Sequence, residues 1–163
     1  MGSFTYRMPA GIPGGLSRGA GQATVEPQAG DAAKDFLGYG MFGKIVAEKF
    51  VPLEVGDVAG VIYGLLLRPF PTGASQDGLG TSTPPTSGGI LDVLRRGYAT
   101  VALAGATAAA KNGQVYVRTT VGAGETLGTI EAAADGGDCV AVAGCFFTGP
   151  ADANGIVEVA YNI

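Results

Sequence analysis

The sequence predicts an all-β domain, a sandwich or barrel with few or no helices. Three observations predict it: short β-prone runs recur from Lys44 to the C-terminus, Gly, Pro, Asp and Asn separate them, and the clearest runs alternate apolar and polar residues. A chain of 163 residues suits one core and needs no disulfide or metal to complete it.

Residues 1–35 hold Pro9, Pro13 and Pro27 among many glycines and show neither a helical nor a sustained two-residue apolar period. They read as an extended N-terminal arm. At about 3.3 Å per residue, thirty extended residues reach on the order of 100 Å. Phe4, Tyr6, Ile12 and Leu16 favour an arm laid on a neighbour's surface. Residues 36–163 read as one β-domain. Its candidate strands are "KIVAEKFV", "VAGVIYGLLL", "GYATVAL", "QVYVRTTV", "TLGTIEAA", "CVAVAGCFF" and "IVEVAYNI". In the fourth, Val115, Val117, Thr119 and Val121 face a core, while Gln114, Tyr116, Arg118 and Thr120 face the wetter side. Val117→Asp is therefore expected to be severe and Gln114→Asp mild. In the last, Val157, Val159, Tyr161 and Ile163 oppose Ile156, Glu158, Ala160 and Asn162. "GASQDGLGTSTPPTSGG", residues 73–89, is too polar and glycine-rich to build a core and reads as an exposed loop. No internal repeat and no second domain emerges.

Composition argues against several functions. A net charge of −4 with Arg95–Arg96 as the only basic doublet argues against nucleic-acid or anionic-membrane partners. The longest apolar run, Val58–Leu67, is half the roughly 20 residues that span a bilayer and reads as a core strand. The N-terminus lacks the pattern of a signal peptide, so the protein is expected to be made and used without secretion. Charged residues make up only 15% of the chain and glycines number 29, which together point to many tight turns or to surface hidden by a partner.

The chain has no histidine, the commonest general base and metal ligand. If "DCVAVAGC" is one strand, Cys139 and Cys145 lie on one face about 20 Å apart, beyond disulfide reach, and read as buried thiols. "GYGMFGKI", Gly38–Ile45, resembles a nucleotide-binding loop. It lacks the Ser or Thr after Lys44 that would meet Mg²⁺, and a strand-like run follows where a helix should. "GAGETLG", Gly122–Gly128, reads as a hairpin turn. Glu131, Asp135 and Asp138 invite a metal-site reading, but their spacing suits a turn better. We therefore assign no catalytic residue, no cofactor and no metal ligand, and expect no enzyme.

The order of segments is more telling than any motif. "MPAGIPGGLSR", "MFGKIVAEKF", "VIYGLLLRPFPT", "DVLRRGYATVAL", "GQVYVRTT", "IEAAADGGDCVAV" and "FFTGPADANGIVEVAYNI" resemble, in that order, the structural cement (capsid decoration) proteins of tailed bacteriophages. The most specific pieces are "RPFPT", "LRRGY", "EAAADGG" and "GPADANG…YNI". The resemblance implies a jelly-roll or related barrel that assembles as a homo-dimer or homo-trimer. Such a protein is made in the host cytoplasm and sits on the outer surface of the virion. There it binds the major capsid protein at subunit junctions and holds the head against the pressure of packaged DNA. On this reading "MFGKIV" opens a strand. The residues expected to contact capsid or neighbouring subunits are Tyr6, Pro9, Ile12, Pro13, Leu16 and Phe36. The main alternative is a tail- or fibre-associated module that binds a receptor or glycan.

Overall fold

The computed structural model describes residues 11–69, 83–85, 88–122 and 124–163; Tyr6, Pro9 and most of the 73–89 loop lie outside them. Among the described residues nine strands form: β1 (Thr24–Ala29), β2 (Phe42–Val46), β3 (Lys49–Pro52), β4 (Gly64–Leu66), β5 (Ile90–Ala102), β6 (Gln114–Arg118), β7 (Ile130–Glu131), β8 (Cys139–Phe147) and β9 (Ile156–Tyr161). They make one sheet in the order β3-β2-β4-β5-β9-β8-β6-β7, with β1 also on β5, and the sheet curls into a half-barrel. Every paired strand is antiparallel. Among the described residues helical turns are limited to three short 3-10 turns, at Ala20–Gln22, Ala59–Val61 and Asp135–Gly137. The expected all-β sandwich or barrel class is what the chain forms.

β5 joins the two halves. Its first part pairs with β4 and β1, and Gly97–Ala102 pairs with β9. The change of partner falls at Gly97, whose φ of +142° calls for glycine and where a Cβ would crowd Ala23 at 3.0 Å. Because side chains alternate along a strand, neighbouring residues of β4 and β5 feed two cores. Leu65 and Leu94 join the larger one with Phe42, Val101, Val117 and Tyr161. Leu66, Leu91 and Val93 join a smaller one on the opposite face, closed by Phe36 stacked on Phe50 at 5.0 Å.

Four local readings of the sequence change. "KIVAEKFV" is not one strand but a β2–β3 hairpin, turned at Ala47 and Glu48 with φ of +48° and +63°. That is the geometry of a two-residue hairpin turn, without the Asn-Gly or Asp-Gly that normally announces it. "VAGVIYGLLL" is a strand only at its end, after the 3-10 turn. Gly64 is required there because a Cβ would stand 2.5 Å from Val93. The stretch read as an arm contains β1, which lies along β5 from Val25 opposite Leu94 to Ala29 opposite Ile90. β1 is largely exposed and carries Pro27, as an edge strand tolerates, so no apolar period marked it. Ahead of β1, Gly14 N–H donates to Thr100 O at 2.7 Å, Thr100 N–H to Gly15 O at 2.9 Å and Ser17 N–H to Tyr98 O at 3.2 Å.

The fourth change concerns β6. Val115, Val117 and Thr119 are buried as the alternation predicts, but the strand stops at Arg118 and Val121 is 54% exposed. On the face expected to be wetter, Arg118 is only 1% exposed. Opposite Gln114 the register slips, because β8 carries extra residues between Ala141 and Phe146. The Gln114 amide fills that bulge, donating to the carbonyls of Val115, Val142 and Cys145 at 2.9, 2.8 and 3.2 Å. Cys139 lies before the bulge and Cys145 within it, both as free, buried thiols. Burial pushes the Cys139 thiol up to about 11.

The turn before β9 behaves as expected. Asp152 accepts from the backbone N–H groups of Asn154 and Ile156, both at 2.9 Å, and Gly155 closes the turn at φ +75°. A β-branched residue resists that conformation. Gly155→Val should therefore lower stability by about 1–3 kcal/mol, read as a drop in thermal midpoint; an unaltered midpoint in a soluble variant would reject the account.

Candidate functional site

Lys44 lies inside β2, where a phosphate loop would need a flexible turn. Its ammonium meets Glu54 at 2.8 Å and Asp57 at 2.8 Å, and Glu54 also holds Lys34 at 2.5 Å. Burial lowers the Lys44 pKa, but the hydrogen bonds it donates to Asp57 and Glu54 outweigh it and hold the group charged. Lys34, then Lys44, pull the Glu54 carboxyl down to about 2. Gly43 serves packing, since a Cβ there would lie 2.6 Å from the Phe50 ring. A strand follows instead of a helix, so the geometry that cradles a phosphate does not form.

The acidic residues singled out in the sequence do converge, on a cation. Arg118 binds Glu131 through Nε at 2.7 Å, Glu125 through Nη1 at 2.6 Å and Asp135 through Nη2, with Asp138 at 4.0 Å. The Glu131 hydrogen bond, then that of Asp135, raises the Arg118 pKa above its ordinary value. The pairing ties the 122–128 turn and the Asp135–Gly137 turn to β6. Among the described residues no cluster is placed to hold a metal ion. The sequence carried a signal for this network, an arginine in an apolar strand followed by four carboxylates, which strand parity alone did not use.

A second clamp fixes the start of the described chain. Arg18 donates to Glu158 through Nε at 3.2 Å and Nη2 at 2.9 Å, and its guanidinium stacks 3.7 Å from the Tyr98 ring centroid. Thr148 Oγ1 donates to the same carboxylate at 2.6 Å. Burial raises the Glu158 pKa, but hydrogen bonds from Arg18, Ser17 and Thr148 outweigh it and bring it to about 2. A depressed carboxylate stabilises the fold fully above its unfolded pKa and loses that contribution as pH falls towards the folded value. Wild-type stability should thus decline between about pH 4.5 and 2, and Glu158→Gln should flatten that limb by about 1–3 kcal/mol in urea unfolding. Parallel limbs would contradict it.

Of the expected contact residues, Ile12, Pro13, Leu16 and Phe36 are among the described ones. Ile12 and Pro13 are half-buried, and Leu16, 41% exposed, bridges to Ala99 on β5. Phe36 is 5% exposed and belongs to the smaller core, so its ring is not available to a partner without opening that core. Other apolar side chains reach the surface: Val55, Val58 and Val121 are 67%, 62% and 54% exposed. The Gly56 N–H donates to Thr119 O at 2.9 Å, which brings the turn carrying Val55 and Val58 to the end of β6 near Val121. Sequence reasoning assigned Val58 and Val121 to core strands because β-branched residues in short runs look alike in strands and in tight turns.

The described ion pairs tie turns and the start of the described chain to a curled β-sheet, and Val55, Val58 and Val121 stand exposed on its loops. A family model described as XM1 gp53 minor capsid protein matches residues 1–161, and the chain belongs to that family of phage capsid-associated proteins. It is a virion structural protein. Among solved structures it is similar to a chain of "The capsid of Myoviridae Phage XM1", with a TM-score of 0.69 and 22% identity over 96% of this chain and 92% of that one. No curated protein matches it.

Proposed function

We propose that the protein binds the outer surface of a phage head and cements neighbouring major capsid subunits, holding the shell against the pressure of packaged DNA. The match of residues 1–161 to a minor capsid family carries this reading. Leu16 and the Val55, Val58 and Val121 group supply apolar contacts, and self-association as a dimer or trimer multiplies them. When one contact forms, the next is intramolecular, at an effective concentration near millimolar for short connections. Weak patches then hold firmly without a large interface, and the role needs binding alone, without catalysis or cofactor.

Co-sedimentation with shells assembled from the cognate major capsid protein tests the reading. Saturable binding at a fixed ratio per hexamer is expected, and Val58→Asp should weaken it at unchanged melting temperature. Protein left in the supernatant with both expanded and unexpanded shells would overturn it and turn attention to a glycan array for the tail-associated reading.

A further inference from the structure

A cavity of about 390 Å³ opens beside β5, with Pro13, Leu37, Tyr39, Met41 and Ile130 in its wall. A smaller hollow of about 130 Å³ continues from it past Leu37 and Met41 towards Leu53 and Leu127. The first lies in the size range of sites that take organic ligands, and its lining is mainly apolar. Leu37, shared by both hollows, is 69% exposed.

The wall of this groove includes described residues next to two stretches of the sequence that lie outside the described residues. Residues 70–82 run between Arg68 and Thr83, both in the wall, but they are mostly Gly, Ser, Thr and Pro, with Phe70 and Leu79 far apart. Residues 1–10 end three positions before Pro13, also in the wall, and read "FTYRM" at positions 4–8. There Phe4, Tyr6 and Met8 alternate with Thr5 and Arg7, so an extended backbone would put the three large apolar side chains on one face over about 13 Å.

We propose that in the free protein this groove is the docking site for the apolar face of the chain's own residues 4–8. Gly11, the first described residue, has a φ of +127°, a conformation that favours glycine. The seven steps from Gly11 back to Phe4 cover the return. Docking within one chain also benefits from a high effective concentration, and each aromatic ring brings on the order of 150–250 Å² of surface to bury. The inference stands apart from the shell-binding reading, because it concerns the protein alone.

Cysteine pairing in the full-length protein tests it. Leu37→Cys is combined in turn with Phe4→Cys, Thr5→Cys, Tyr6→Cys, Arg7→Cys, Met8→Cys or Leu79→Cys, and mild oxidation is followed on non-reducing gels and by peptide mapping. A disulfide needs Cα atoms within about 7 Å, and the native Cys139 and Cys145, 6% and 0% exposed, do not compete. Intrachain bridges from positions 4, 6 or 8 should exceed those from 5 and 7. Bridges between two chains, strongest pairing with position 79, equal yields at all positions, or no bridge would each overturn the proposal. Separately, full-length Phe4→Ser/Tyr6→Ser should raise the fluorescence of anilinonaphthalene sulfonate several-fold by uncovering the groove; unchanged fluorescence would also overturn it.

Discussion

Arg118→Ala should destabilise the protein by about 3–5 kcal/mol, the range for breaking a buried ion pair from one side. The guanidinium is almost fully buried, and the Glu131 side chain, 6% exposed, would be left as a buried carboxylate without its partner. Glu125 and Asp135 reach the same group from two turns, so those turns should loosen with it. Adding Glu131→Leu to Arg118→Met should recover part of the loss, because removing both charges removes the penalty of an orphaned one. Urea unfolding checks both variants. A single-variant loss below about 0.5 kcal/mol would mean the network is hydrated and contributes as little as a surface pair.

Gln114→Asp, expected from strand parity to be mild, should instead rival Val117→Asp. The amide of Gln114 donates to the Val142 and Cys145 carbonyls of the β8 bulge and to Val115 O on its own strand, and a shorter, anionic side chain would withdraw the donor and face them with negative charge. At about 1–3 kcal/mol for each buried group left unsatisfied, the total reaches several kcal/mol. Val117 is fully buried in the larger core, so a carboxylate there carries a desolvation cost of similar size. Thermal melting of the two variants should show comparable drops, with Gln114→Asn intermediate. A Gln114→Asp midpoint within a degree of wild type would contradict the bulge account.

These two residues also mark how far the sequence could be read. Val115 and Val117 declare their face because period two is a local property. Arg118 and Gln114 sit one step out of phase and look solvent-facing, and what buries them comes from distant segments: the 122–138 carboxylates for one, the bulge in β8 for the other. β1 was hidden for a similar reason. Its burial is slight and its strand character comes from pairing with β5, more than sixty residues away. The hairpin at Ala47–Glu48 lacked turn residues, so β2 and β3 read as one strand. The surface was least legible of all. Val58 and Val121 look like core by composition, and Phe36, taken for a contact residue, closes the smaller core against Phe50. By contrast, the idle lysine of "GYGMFGKI" was readable from the missing Ser or Thr, and the structure adds Glu54 and Asp57 as its partners.

The most direct test of the cement role is genome release from filled heads that lack the protein, heated with and without it added back and followed by a DNA-binding dye. The account predicts that the release temperature rises with added protein and levels off at the stoichiometry at which shell binding saturates. An unchanged release temperature at full occupancy would contradict it, leaving a protein that decorates the head without holding it together.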